Sequence, residues 1–476
     1  MRQLFPLLAL LALTGCGSPS GSQQTSLDER IARIENGIQN RVQIQGLDNP
    51  RFNIEDRMRE LGIPGVSIAV INNGVIEWAK GYGMADSSEN REVTTETLFL
   101  AGSISKPVAT FRTHQLVEQG IIHLDSNVNN YLSSWKLPDN EFTVNEKVTA
   151  RRIMNHSAGL TTWGFPGYKR GDTIPTIPEV LDGKGNTGPV RVYKEPGGNW
   201  QYSGGGYTIM QLMITDIDQQ SFPETMKTHV LDPLGMVSST YENPLPPQYH
   251  ARAATGYRSN GNEVTGKWHV YPEMAAAGLW TTPSELILWA KEIQQVLQSG
   301  SDGLLKTETV KEMLIPTEDD QGLGPYVVND FFGHGGADEG FRAELYAWKD
   351  KANAVVIMTN SDLGSSFMQE IMLSLAAEYD LPGIEPINRV YNEKPQSELE
   401  RYAGTYRFPN RGDATMIVKD KGLQFSGGPF SGIINLLPEN DSTFFNRQTG
   451  LYYRFALEGE HVKGVTYARN TSEKID

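Results

Sequence analysis

The chain has 476 residues, more than one domain usually holds, so two domains with flanking segments are expected. Hydrophobic residues make up 38% and charged residues 21%, as in a globular protein with a sizeable core. A formal charge of −15 argues against nucleic acid or an acidic membrane surface as the main partner.

The N-terminus, MRQLFPLLALLALTGC, has one positive residue, an apolar stretch too short to span a bilayer, and then small residues. That is the pattern of a secretory signal. It also resembles a bacterial lipoprotein signal, with Leu13-Thr14-Gly15 directly before Cys16. Processing would remove residues 1–15 and leave Cys16 as the lipid-bearing first residue. Gly17 is not the acidic residue associated with inner-membrane retention, so the outer membrane is favoured in a two-membrane host. Cys16 is the only cysteine, which excludes an internal disulfide, a thiol nucleophile and a cysteine metal site. Residues 16–40 then read as a Gly/Ser-rich tether followed by a short amphipathic helix with Leu27, Ile31, Ile34 and Ile38 at helical spacing. Nothing after residue 20 approaches a membrane-spanning apolar run.

In GVSIAVINNGVIEWAKGYG (65–83), apolar residues flank Asn-Asn-Gly, which predicts a hairpin of two strands. Helical and loop-rich sequence fills about 103–310. Strand-like runs follow in GPYVVNDFFGHGG, FRAELYAWKD and NAVVIMTNSD, and then the helical run SSFMQEIMLSLAAEYD. Strands at both ends with helices between them imply one mixed sheet, an α/β (α+β) domain over 41–385. Residues 386–396, rich in Pro and polar residues, read as a linker. From 397 to 476, short alternating runs separated by turn residues predict a small all-β barrel or sandwich.

Three short stretches carry chemistry. In GSISKPVATF, Ser103 and Lys106 share a face if the segment is helical, and a lysine in apolar surroundings has a lowered pKa suited to accepting a hydroxyl proton. A second S-x-x-K, Ser133 to Lys136, is read as chance because Pro138 follows almost at once. WQYSGGGY holds Tyr202 and Ser203 before three glycines, without the spacing of a phosphate-binding loop. FFGHGGADEGF holds His334, with no second ligand in a metal-binding pattern, so no cofactor and no metal are expected.

In that order, S-x-x-K, Y-S-G and H-G-G resemble the three motifs of the serine β-lactamase and penicillin-binding protein superfamily, in its class C β-lactamase-related branch. PGVSIAVINNG, MNHSAGLTTWGFPGY, LDPLGM and AAAGLWTTPSEL are similar to family stretches as well, and the tail is similar to the lipocalin-like barrel that often follows. The resemblance implies a β-lactamase/transpeptidase-like domain with an antiparallel sheet flanked by helices. It implies Ser103 as nucleophile, Lys106 as proton acceptor and Tyr202 as proton relay, with the backbone N–H groups of Ser103 and Ala337 holding the oxyanion. Ser203, His334, Gly335 and Gly336 would contact substrate, and the barrel would cover the cleft entrance or mediate assembly.

Two departures bear on substrate. Gly204 stands where β-lactamases usually have Asn, and His334 stands where carboxylate-binding members have Lys. Potent β-lactamase action is therefore disfavoured. The expectation is a lipid-anchored envelope hydrolase acting on a peptide amide (peptidoglycan-derived or D-amino-acid) or an ester. A carboxylesterase, a weak class C-type β-lactamase and a non-catalytic binder of wall fragments are the alternatives.

Overall fold

A computed structural model describes residues 26–430, 432–468 and 470–476. The signal segment and Cys16 lie outside the described residues. Helix α1 (Leu27–Glu35) begins at Ser26, whose hydroxyl accepts the Glu29 N–H while the Glu29 carboxylate accepts the Ser26 N–H. Strand β1 (Val42–Gln45) and helix α2 (Ile54–Leu61) follow.

The predicted hairpin is β2 (Gly65–Asn72) and β3 (Val75–Asp86), with β4 (Arg91–Glu92) beyond. Asn73 and Gly74 both have positive φ, as a two-residue turn matching strand twist requires. Helices α3 (Ser105–Glu118), α4 (Gly204–Asp218), α5 (Met274–Ala277) and α6 (Pro283–Ser299) occupy the helical part. Then come β5 (Tyr326–Val328), β6 (Phe331–Asp338), β7 (Phe341–Trp348), β8 (Ala354–Thr359) and helix α7 (Gly364–Tyr379). The run GPYVVNDFFGHGG is thus two strands, divided by a turn at Asn329 and Asp330.

The sheet order is β5-β6-β7-β8-β2-β3-β4. Every pair is antiparallel, which refines the mixed sheet expected from the sequence. The reason is connectivity: all neighbours but one are joined by tight turns, and β8 meets β2 antiparallel, Thr359 beside Val66. Both faces are buried. Ala69, Ile71, Val356, Met358 and Leu345 join α3, α4 and α6 in one core. Val66, Ile68, Val70, Val355 and Ile357 join α1, α2 and α7 in another. Double burial explains why these strands read as continuous apolar runs.

The expected linker at 386–396 needs correction. Ile387–Val390 is a strand, β9, paired parallel with β1 in the register Ile387 beside Val42. The C-terminal unit that follows is a nine-stranded antiparallel barrel. It is nearly closed, because Asn470–Thr471 and Glu473–Lys474 pair with opposite edges of its sheet, one residue apart in the chain. Val42, Ile44 and Ile387 pack with barrel residues Leu437, Phe445 and Tyr452 in one apolar cluster. This apolar contact between barrel and first domain lies on the N-terminal segment. A chain ending after Tyr391 is therefore expected to keep its reactive serine. It should lose on the order of 3 kcal/mol as Val42, Ile44 and Ile387 become exposed. Fluorophosphonate labelling alongside a thermal melt checks both halves of that expectation. Among the described residues, no helix is long and apolar enough to cross a membrane.

Candidate active site

Ser103 lies in a 3-10 turn, Gly102–Ile104, that runs directly into α3. The buried approach is fixed by Phe99 and Leu100, which pair with Trp280 and Thr281. Gly102 is required at its position. Its φ is +53°, and a Cβ there would sit 2.5 Å from the Ala337 nitrogen. Gly336 is required from the other side, because a Cβ on it would come within 2.0 Å of the Ala101 carbonyl oxygen. The two glycines let strand β6 lie directly against the serine turn.

Edge strand β5 covers only Phe331–Gly333 of β6, so the stretch from His334 onward is open on that side. The two-residue loop after Asp338 makes Asp338 and Phe341 a hydrogen-bonded pair, and alternation along the strand turns the Ala337 N–H to the open edge. The Ala337 N–H thus lies beside the serine turn, where a Cβ on Gly102 would meet its nitrogen at 2.5 Å.

Lys106, on the first turn of α3, is 2% exposed. Its amine lies 2.9 Å from Ser103 Oγ and donates to the Ala276 carbonyl on α5 at 2.7 Å. Burial pushes its pKa down to about 7, against a weaker upward pull from Asp338. A neutral amine can spend an N–H on Ala276 and keep its lone pair for the serine proton. The Tyr202 phenol lies beside Ser103, and burial holds its pKa well above the usual value against a weaker downward pull from the serine. With Lys106 near 7 and Tyr202 far above it, the amine can take up a proton at neutral pH while the phenol keeps its own.

His334 is 5% exposed and stacks on Tyr326 with ring centroids 4.7 Å apart. Its Nδ1–H donates to the Gly335 carbonyl at 2.5 Å, and burial pushes its pKa down to about 3, so the ring is neutral. It does not supply the fixed cation of a carboxylate-binding third motif. Gly335 and Gly336 lie with it along the open strand edge.

Ser203 departs from the expectation of a substrate contact. Its hydroxyl caps α4, accepting the Gly206 N–H at 3.1 Å and donating to the Thr161 carbonyl at 2.8 Å. The Ser133/Lys136 copy is not helical, and the Lys136 amine is bound to the carbonyls of Asn129 and Leu132.

Sequence reasoning missed three groups here. Asp338 and Glu273 are buried carboxyls, both pushed up by burial, Glu273 to about 7, and Asp338 acts on the Lys106 amine. The Asp338 carboxyl lies close to the Gly102 N–H at the serine turn. His156, the other omission, packs beside Tyr202 with ring centroids 4.3 Å apart. Among the described residues, no cluster of His, Cys, Asp or Glu could hold a metal ion.

Residues 51–377 match the family model described as Beta-lactamase, and residues 388–475 match a domain of unknown function, DUF3471. The chain is 21% identical to penicillin-binding protein 4* of Bacillus subtilis over 86% of this chain and 93% of that protein. It is 23% identical to the teichoic acid D-alanine hydrolase of Staphylococcus aureus over 52% of this chain and 58% of that one. Among solved structures it resembles the octameric penicillin-binding protein homologue from Pyrococcus abyssi. There the TM-score is 0.61 at 21% identity, over 88% of this chain and 98% of that chain. A class C beta-lactamase mutant gives a TM-score of 0.57 at 18% identity, over 75% and 99%.

Proposed function

The chain belongs to the beta-lactamase family, and from that footing we propose that it cleaves a peptide amide or an ester through an acyl-enzyme on Ser103. It is a serine hydrolase of the β-lactamase and penicillin-binding protein group. In the proposed cycle Lys106 takes the hydroxyl proton as Ser103 Oγ attacks the carbonyl carbon. The N–H groups of Ser103 and Ala337 hold the oxyanion, and Tyr202 passes a proton to the leaving group. Water then attacks the acyl carbon by the same route and frees the serine. The observation that carries this reading is the 2.9 Å contact between Ser103 Oγ and a buried amine whose pKa is brought down to about 7.

The substrate reading rests on His334. A neutral imidazole at the strand edge gives no charge to grip the carboxylate of a β-lactam. A relative named teichoic acid D-alanine hydrolase supports an aminoacyl ester or D-amino-acid amide instead. The test presents p-nitrophenyl esters, D-amino-acid amides and nitrocefin to the enzyme side by side. Turnover of the first two with nitrocefin far slower is expected, and nitrocefin as the preferred substrate would overturn the reading.

We further propose that Cys16 carries a lipid that fixes the enzyme to the cell envelope, facing the periplasm in a two-membrane host. The support is the LTGC box after a short apolar segment. Metabolic labelling with a palmitate analogue is expected to mark the wild type and leave Cys16→Ser unmarked. Mature wild-type protein free in the medium, with no lipid at its first residue, would contradict it.

A further inference from the structure

His156 follows the short helix Ala150–Met154, adopts the left-handed backbone conformation (φ +59°), and is 1% exposed. A non-glycine residue rarely adopts that conformation unless its surroundings hold it there. Its surroundings are the segment carrying the active-site tyrosine. The Gln201 N–H donates to the His156 carbonyl at 2.7 Å. The Ser203 N–H donates to His156 Nδ1 at 3.1 Å. Tyr202 lies between these two bonds, with its ring against the imidazole. One residue therefore grips the chain on both sides of Tyr202 and backs the ring itself.

The imidazole is fixed in one protonation state. Nδ1 accepts a backbone N–H, so the ring proton is on Nε2, and burial together with the nearby Lys106 keeps a second proton off. The ring also lies against Tyr207 and Trp200, with centroids 5.4 and 6.0 Å away. Lys106 Nζ lies 4.9 Å from the Tyr202 ring centroid and 5.7 Å from that of Tyr207. A displaced Tyr202 would therefore disturb the wall around the base as well as the proton path.

We propose that His156 is the positioning residue for Tyr202, holding its phenol beside Ser103 through the two backbone bonds and the ring contact. It touches neither the serine nor the substrate and acts only through the tyrosine. The inference rests on the catalytic role given to Tyr202 above.

Two variants separate its parts. His156→Asn tolerates the left-handed backbone and keeps an acceptor where Nδ1 stood, but removes the ring. His156→Phe keeps a ring and leaves the Ser203 N–H without its acceptor. Steady-state kinetics on an ester substrate would be measured for each variant, alone and combined with Tyr202→Phe, with thermal melts to establish folding. Tyr202→Phe is expected to lower kcat by about 100-fold or more. His156→Phe is expected to lower kcat by about 30-fold and His156→Asn by several-fold, with KM within about threefold of wild type. In the Tyr202→Phe background neither should lower kcat by more than about twofold further, because the group they position is already gone. Wild-type kcat in both His156 variants, or losses that multiply with Tyr202→Phe, would overturn the inference and leave the tyrosine's role standing. Near-normal turnover in Tyr202→Phe itself would remove that role and the inference with it.

Discussion

Ser103→Ala is expected to lower kcat/KM by roughly four to six orders of magnitude while leaving the fold intact. The size of the loss follows from the position of the hydroxyl. Ser103 Oγ lies 2.9 Å from the Lys106 amine, and the Tyr202 phenol lies beside the same residue. Removing it leaves a base and an acid with nothing to act on, and only the backbone N–H groups would still favour a water attack. The cost to stability should be small, since Ser103 is partly exposed and neighbouring Ser105 makes the buried bonds. The Ser105 hydroxyl donates to the Gly102 carbonyl at 2.6 Å and accepts the Leu279 N–H at 2.9 Å. A melt within a few degrees of wild type, with turnover gone, is the expected pair of results. Ser133→Ala should match wild type in both.

Lys106→Arg is expected to lose at least two to four orders of magnitude in acylation rate although the positive charge is kept. A guanidinium cannot give up its proton near neutral pH, so the variant has no base for the serine hydroxyl. Wild-type acylation should carry the signature of the lysine. The active form is the neutral amine, so the rate should rise about tenfold per pH unit well below pH 7 and level off above it. The same shift affects stability. A lysine whose folded pKa is depressed to about 7 is more protonated in the unfolded chain between pH 7 and its ordinary value near 10.5. Its contribution to stability therefore rises with pH across that window. Pre-steady-state acylation from pH 5 to 9 in both proteins checks the first expectation, and a lysine-independent profile would contradict it.

Much of the site was legible because its signals are local. S-x-x-K needs one helical turn to bring serine and lysine together, and the Asn-Gly turn alone sets the first hairpin. Other parts depend on neighbours far apart in the chain. Ile387–Val390 looked like a linker because its partner strand, Val42–Gln45, lies at the opposite end of the sequence. His156 had no role in the sequence reading, because its role exists only once residues 155–157 meet residues 201–203. Ser203 is different: a serine directly before an apolar helix that opens with three glycines is an N-cap, a local signal, while its place beside substrate came only from the family resemblance. The same glycines pack closely. A Cβ on Gly205 would meet the Val190 side chain at 2.8 Å.

One serine, on the turn that leads into α3, is expected to become covalently acylated. The most direct test treats the whole protein with a fluorophosphonate probe, measures the intact mass, and maps the adduct by peptide mass spectrometry. One adduct per chain on Ser103, absent in Ser103→Ala and slowed in Lys106→Arg, is the expected result. An adduct on any other residue, or hydrolysis that continues unchanged in Ser103→Ala, would contradict it.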